Sequence, residues 1–165
     1  MRRLSRRSRI TADEARNPDR VRASAIALLA RRDFASGELR QKLKHQGYDE
    51  ELVKDSIDEL TAEGMLNDAR YAEHFVSYHA DRGEGPLRIE AELKEFGVAS
   101  DLIQSALDAG PDWKARARDV RIRRFGADIP ETWSEKAKQA RFLQYRGFSG
   151  DQIRAALGPD FDPDC

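Results

Sequence analysis

The chain is 165 residues long, 39% hydrophobic and 36% charged, which allows one or two domains with thin cores and much solvated helix surface. Its longest unbroken apolar run, "AIALLA" at residues 25–30, is far short of the roughly 20 residues that span a bilayer, and the polar stretch "TADEARNPDR" stands where a secretory peptide needs an apolar core, so the chain reads as cytoplasmic with no membrane partner. The only cysteine, Cys165, excludes an intramolecular disulfide, and the net charge of −1 hides a segregation: residues 1–32 carry 10 Lys/Arg against 3 Asp/Glu, residues 33–112 carry 8 against 19, and residues 113–158 carry 11 against 5. Basic ends suit a polyanion partner; the acidic middle repels the same partner unless it faces elsewhere.

In chain order, residues 1–18 open with "MRRLSRRSRI", whose five arginines and low apolar content predict a basic disordered tail. From there apolar residues recur at helical spacing and no stretch alternates with period two, which predicts an all-α fold. In residues 19–64, Ala25, Leu28 and Leu29 stripe a helix ending near Arg32. Ser36 is placed to cap a second helix carrying Leu39 and Leu43. Gly47 supplies a left-handed residue after it, and Asp49 caps a third helix striped by Leu52, Val53, Ile57 and Leu60.

Residues 65–110 repeat this plan. "NDARYAEHFVSYHA" forms the first helix, Pro86 opens the second, and "SDLIQSAL" follows Gly97. Val76, Ile89, Leu93, Val98, Ile103 and Leu107 are expected to match Ile26, Leu39, Leu43, Tyr48, Val53 and Ile57. Residues 111–158 form a third unit, from "DWKARARDVRIRRFG" to Ile153 and Leu157, with a longer connection, "GADIPETW", before a cap at Ser134. Leu43, Leu93 and Leu143, then Gly47, Gly97 and Gly147, fall at one interval of fifty. The expected architecture is an elongated tandem array of three three-helix, helix-turn-helix-like repeats, closed by an acidic tail at 159–165.

Catalytic and cofactor signatures are missing from the pattern. His45, His74 and His79 have no metal-ligand spacing, since 74 and 79 point to different helix faces. "GEGP" at 83–86 follows no strand and precedes no Gly-Lys-Ser/Thr, so it reads as a turn into a helix. No carboxylate stands beside a histidine or serine as an activated nucleophile would require. The expectation is a non-enzyme without cofactor.

The candidate contacts are therefore cationic. Arg31 and Arg32 end the first helix. On the helix from Trp113, the residues Trp113, Ala117 and Val120 share a stripe, Arg116 and Arg123 flank one edge, and Arg121 and Arg124 lie nearer the other; Arg88, Lys136 and Arg146 complete the set. Helix-turn-helix spacing raises a rival function, a DNA-binding transcriptional regulator. Against it, the first unit's recognition-like helix "DEELVKDSIDEL" carries six acids and one lysine, the second's carries no base, and the third's offers only Arg154.

Two stretches, "ALLARRDFASGELRQKLKHQGY" and "LNDARYAEHFV...GEGPLRIEAELKEFGV", resemble the bacterial RecX family, modulators of the RecA recombinase, and the resemblance covers residues 21–157. Asp68, Tyr71 and Ala72, then Gly85, Pro86, Arg88, Ile89, Glu92 and Leu93, stand at the family's motif positions. The resemblance implies tandem three-helix units, no enzymatic activity, and binding in the groove of the RecA–DNA filament. It further implies inhibition of ATP hydrolysis, strand exchange and coprotease activity, with single- or double-stranded DNA as a direct ligand in some members. A monomer is expected. On the residues themselves, Asp68 reads as a helix cap, Pro86 as a first-turn residue, Tyr71 and Ile89 as core, and Arg88 with Glu92 as either an (i, i+4) pair or contacts. Two departures stand out: Asn67 where an acid is frequent, and "SYHADRG" with a single arginine where relatives are strongly basic.

Overall fold

The computed structural model describes residues 10–162; the arginines up to Arg9 and the last three residues, Cys165 included, lie outside them. Among the described residues every regular element is an α-helix: α1 (Ala12–Ala15), α2 (Pro18–Leu29), α3 (Ser36–Gln46), α4 (Glu50–Ala62), α5 (Asp68–Asp81), α6 (Pro86–Glu95), α7 (Ser100–Asp108), α8 (Trp113–Phe125), α9 (Trp133–Tyr145) and α10 (Gly150–Leu157). After α1 they group in threes, as the fifty-residue interval predicts. Contacts divide the chain into two compact units, one ending at Asp68 and one beginning at Ala69, so the second and third repeats share a unit.

The first unit buries Val21 and Ala25 of α2, Leu39 and Leu43 of α3, and Val53, Ile57 and Leu60 of α4, with Phe34 and Leu66 closing the ends. Burying a leucine completely is worth about 1.5–3 kcal/mol, which is why these positions recur as apolar. Gly47, at φ +100°, ends α3, and the Asp49 carboxylate accepts from the Glu51 and Leu52 amides at 3.0 and 3.3 Å to start α4. The disordered tail expected over residues 1–18 does not extend to Pro18. Thr11 and Glu14 form a reciprocal capping box on α1, and the Asp49 amide donates to the Ala15 carbonyl at 3.0 Å, so this short helix is tied to the turn before α4. Tail composition misled here because the anchoring contacts come from 34 residues downstream.

Ser36 does not cap α3; Ala35 is its N-cap and offers no side-chain bond. The cap comes from later in the chain, where the Asp68 carboxylate accepts from the Ser36 amide at 2.7 Å and from the Ser36 hydroxyl at 2.6 Å. In the second unit Gly85, the N-cap of α6, likewise has no side chain to cap with. Its amide donates to the Arg146 carbonyl at 2.7 Å, and the Leu87 amide donates to the Gly147 carbonyl at 3.0 Å. The free amides of α6 thus meet the free carbonyls of α9, and the two helix dipoles join head to tail. Of the three second helices, α3, α6 and α9, α9 alone is capped by the side chain of its preceding residue, Thr132, through the Glu135 amide at 3.3 Å; Ser134, the expected cap, lies inside the helix.

That junction explains the Gly85 motif position. A Cβ on Gly85 would lie 2.3 Å from the Gly147 carbonyl carbon, and one on Gly147, which also holds φ +95°, would lie 2.4 Å from the Cβ of Arg88. Pro86 occupies the first turn of α6 as expected, buried at the same junction. Ala72, Val76 and Ala80 of α5, Ile89 and Leu93 of α6, and Ile103 and Leu107 of α7 are buried positions of the second repeat. Ala117, Val120, Leu143, Phe148, Ile153 and Leu157 serve the third. Phe161 joins this last core at 4% exposure, so the tail expected from 159 begins inside the fold.

Candidate functional site

Arg123 and Arg124 sit in the last turn of α8, a helix started by Asp112, whose carboxylate accepts from the Lys114 and Ala115 amides. Helical spacing puts Val120 under them. The C-terminal end of α9 brings Phe142 and Arg146 alongside, and the end of α5 brings Arg82 and Gly83, so that four arginines surround an apolar floor in a recess of about 180 Å³. The guanidinium carbons lie over aromatic faces: Arg82 over Tyr78 at 5.3 Å, Arg124 over Phe125 at 5.7 Å and Arg146 over Phe142 at 5.6 Å, while Phe125 and Phe142 meet edge to face at 5.2 Å. Arg82 Nη1 also donates to the Tyr78 hydroxyl at 3.1 Å. None of the four pairs with a carboxylate among the described residues, whereas arginines elsewhere in the same unit do. Four like charges held together favour a multivalent anion, and three of the guanidiniums, those of Arg82, Arg124 and Arg146, are backed by aromatic faces.

The first repeat carries the counterpart. Arg31, Arg32, Leu28 and Ser24 of the first helix and its end, with Lys42 and Gln46 of α3, line a recess of about 490 Å³. Lys42 and Gln46 precede Phe142 and Arg146 by one hundred residues, two repeat intervals, so the same two helix positions face both recesses. Arg32 is held over the Phe34 ring at 3.7 Å and reaches both oxygens of Glu38, at 3.1 and 2.6 Å. Arg31 and Lys42 are exposed.

In the second repeat those positions are Glu92 and Phe96, and the recess is filled. Phe96 meets Phe75 at 5.9 Å and Tyr71 at 6.4 Å, both edge-on, and His79 stacks on Phe75 at 4.0 Å. His79 Nδ1 lies 3.0 Å from Glu84, and Arg88 Nε lies 3.6 Å from Glu84 and 3.3 Å from Glu92. The hydrogen bond that Arg88 donates to Glu92 and the charge of Glu84 raise the Arg88 pKa above the usual arginine value. Ligand atoms of His79, Glu84 and Glu92 fall within 4.8 Å of one another, a grouping that histidine spacing alone did not predict. Arg88 stands between the two carboxylates, so the cation those groups attract is already part of the protein.

The candidate cations thus divide into distinct roles. Arg123, Arg124 and Arg146 line one recess, and Arg31 and Arg32 line the other. Arg88 is the (i, i+4) partner of Glu92, and Arg116 pairs with Asp81 at 2.8 Å. Lys136 is half-buried on α9 and lines neither recess. Arg121 corrects the expectation of a contact residue. It is 3% exposed, one turn beyond Ala117 on the buried stripe, and donates to the carbonyls of Gly126, Ala127 and Asp128 and to Gln139 Oε1. Arg82 is the site residue that sequence reading missed. The signal was present: each first helix of a repeat ends on arginine, at 31–32, 82 and 123–124.

Three family models match the chain in tandem: the first three-helix domain of RecX at residues 22–60, the second at 67–107 and the third at 112–157. The regulatory protein RecX of Halorhodospira halophila is 49% identical over 137 residues, 82% of this chain and 85% of that protein. The RecX of Pseudomonas fluorescens is 45% identical over 138 residues, 83% of this chain and 89% of that protein. Among solved structures, RecX from Lactobacillus salivarius superposes with a TM-score of 0.74 at 21% identity, covering 89% of this chain and 96% of that one, which extends the likeness to the fold. With all three helical domains matched in order and 82% of its length aligned to a relative at 49% identity, the chain belongs to the RecX family of regulatory proteins.

Proposed function

We propose that this protein is a non-enzymatic regulator that binds in the groove of the RecA–DNA filament, inhibits its ATPase, strand-exchange and coprotease activities, and limits filament extension. It acts as a cytoplasmic monomer. The observation that carries the reading is the recess of Arg82, Arg123, Arg124 and Arg146, four guanidiniums without a carboxylate partner among the described residues, on an apolar and aromatic floor. Such a surface matches a phosphodiester backbone: each phosphate it neutralises releases counterions, and aromatic-backed guanidiniums retain their donors for the anion. Arg31 and Lys42 of the first repeat contact the same polymer.

The rival reading, sequence-specific recognition by helix-turn-helix units, meets an electrostatic barrier. Helix α4 carries Glu50, Glu51, Asp55, Asp58 and Glu59, α7 carries no base, and the Arg154 of α10 is engaged by Asp151 at 3.1 Å. A helix so charged is repelled from the major groove.

The test is inhibition of single-strand-dependent ATP hydrolysis by RecA filaments. Changing Arg82, Arg123, Arg124 and Arg146 together to Ala is expected to weaken inhibition at least tenfold, and to lower the salt-dependence slope of filament binding by up to about 3, as four lost phosphate contacts require. The single control Arg116→Ala removes an already paired cation and changes inhibition less than twofold. Full inhibition by the fourfold variant would refute the assignment.

A further inference from the structure

The connection between α8 and α9 spans residues 126–132, longer than its counterparts at 30–35 and 82–85. In repeat proteins such insertions gather on binding faces. This one is held by an unusual core. Gln139 stands fifty residues after Ile89 and one hundred after Leu39, both fully buried, and it accepts from Arg121 Nη1 at 3.4 Å. The same guanidinium takes three consecutive loop carbonyls, Asp128 at 3.0 Å, Ala127 at 3.1 Å and Gly126 at 3.4 Å, while its Nε is buried without a partner. A buried charge with no carboxylate and one unsatisfied donor is costly as core. What it yields is a loop whose backbone is fixed in advance.

The loop so fixed presents apolar side chains outward. Ile129 is 52% exposed and Trp133, its exit residue, 63%. The Trp133 side belongs to a groove of about 380 Å³ walled by Leu87, itself 53% exposed, Ala137, Phe148 and Ile153. The charged groups lining that groove, Arg141 and Asp162, are one of each sign. From 126 to 135 the chain adds Asp128, Glu131 and Glu135 and no cation; only Glu135 has an ion-pair partner among the described residues, Lys138 at 3.7 Å.

We propose that residues 126–133 and the groove beside them dock a protein surface that is both apolar and basic, a second contact separate from the arginine recess. The carboxylates exclude a phosphate backbone from this face, and they complement Lys or Arg flanking an apolar anchor. The inference rests on the proposed function for its occupant: the third repeat reads the nucleic acid of the filament with Arg123, Arg124 and Arg146, and its protein with Ile129 and Trp133. Arg121 is a positioning residue for that face.

The experiment compares two probes, RecA filaments on single-stranded DNA and the bare oligonucleotide. Ile129→Ser combined with Trp133→Ser alters exposed side chains, and an unchanged melting curve verifies the fold. The double variant should lose about tenfold in filament affinity, as removal of interface anchors does, and keep oligonucleotide affinity within twofold. In a Trp113→Phe background Trp133 is the sole tryptophan, and its emission should shift to the blue on filament and stay unmoved on oligonucleotide. Equal loss on both probes, or no loss on either, overturns the docking face. A blue shift that grows with protein concentration alone also overturns it, by assigning the face to a second copy of the chain. Wild-type protein that binds no filament overturns the proposed function and the occupant with it, whereas wild-type binding with an indifferent double variant overturns this inference alone.

Discussion

The second and third repeats place the same two helix positions beside the end of their first helix and make opposite surfaces from them. In the second, Glu92 and Phe96 close the space with an aromatic stack and a His79–Glu84–Arg88–Glu92 chain in which each charged group meets another. In the third, Phe142 and Arg146 leave it open, and Arg82, Arg123 and Arg124 gather there with no carboxylate partner among the described residues. The repeat frame, Leu93 and Leu143 at the same buried depth with Gly97 and Gly147 after them, is common to both. A three-helix unit thus specifies where a surface lies and leaves its chemistry to two or three side chains. The closed repeat even lends Arg82 to its open neighbour, so the departure in "SYHADRG" supplies the basic surface at its one remaining arginine.

The severest way to break the comparison is at the junction of these two repeats. Gly147→Ala forces a side chain into a left-handed backbone and onto Arg88, and should lower the stability of the second unit by roughly 2–5 kcal/mol, read as a lowered melting temperature. Loss of less than about 1 kcal/mol would mean that the two repeats do not depend on this contact. A sharper test swaps a methionine for one arginine in each repeat. Arg88→Met leaves Glu84 and Glu92 facing each other without their cation and should cost about 1 kcal/mol, a figure kept small because Arg88 is 41% exposed. Arg146→Met relieves repulsion in the recess and should leave stability unchanged or slightly raised while weakening polyanion binding. Identical melting shifts for the two variants would erase the distinction between a paired and an unpaired site.

The smallest effect belongs to the first unit. The Thr11 amide and hydroxyl, with Arg20 nearby, hold the Glu14 pKa below the usual carboxylate value. A lowered folded-state value means that the contribution to stability is present above the unfolded glutamate pKa and disappears as pH falls through the lowered one. Attachment of α1 should therefore loosen on acidification below the ordinary glutamate range, seen as faster exchange of the Asp49 amide, which donates to Ala15. Glu14→Gln should remove that pH dependence, and a persistent one would assign it to another group.

Much of this was legible in the residues. The recurrence of Leu43, Leu93 and Leu143 located the second helices because burial demands an apolar residue there, and Asp49 and Pro86 marked starts that local geometry alone enforces. The register of the first helices was read one residue off: Val76 matches Ala25 and Ala72 matches Val21, all buried, because the connection to the second helix is shorter in the second repeat and the interval there is not fifty. Asp68 was readable as a cap but not as the cap of α3, since a carboxylate's choice of amide is made through space.

Local periodicity and capping chemistry, then, determined the helices, their grouping in threes and the apolar ladder through them, because these follow from interactions within a few turns of chain. Which arginines remain free for a partner was decided only by the fold. Arg116 meets Asp81 from 35 residues away, Arg121 turns inward to a loop, and Arg82 crosses to another repeat's recess. Charge neutralisation depends on distances of a few ångströms, and the folded chain sets those without regard to separation along the sequence.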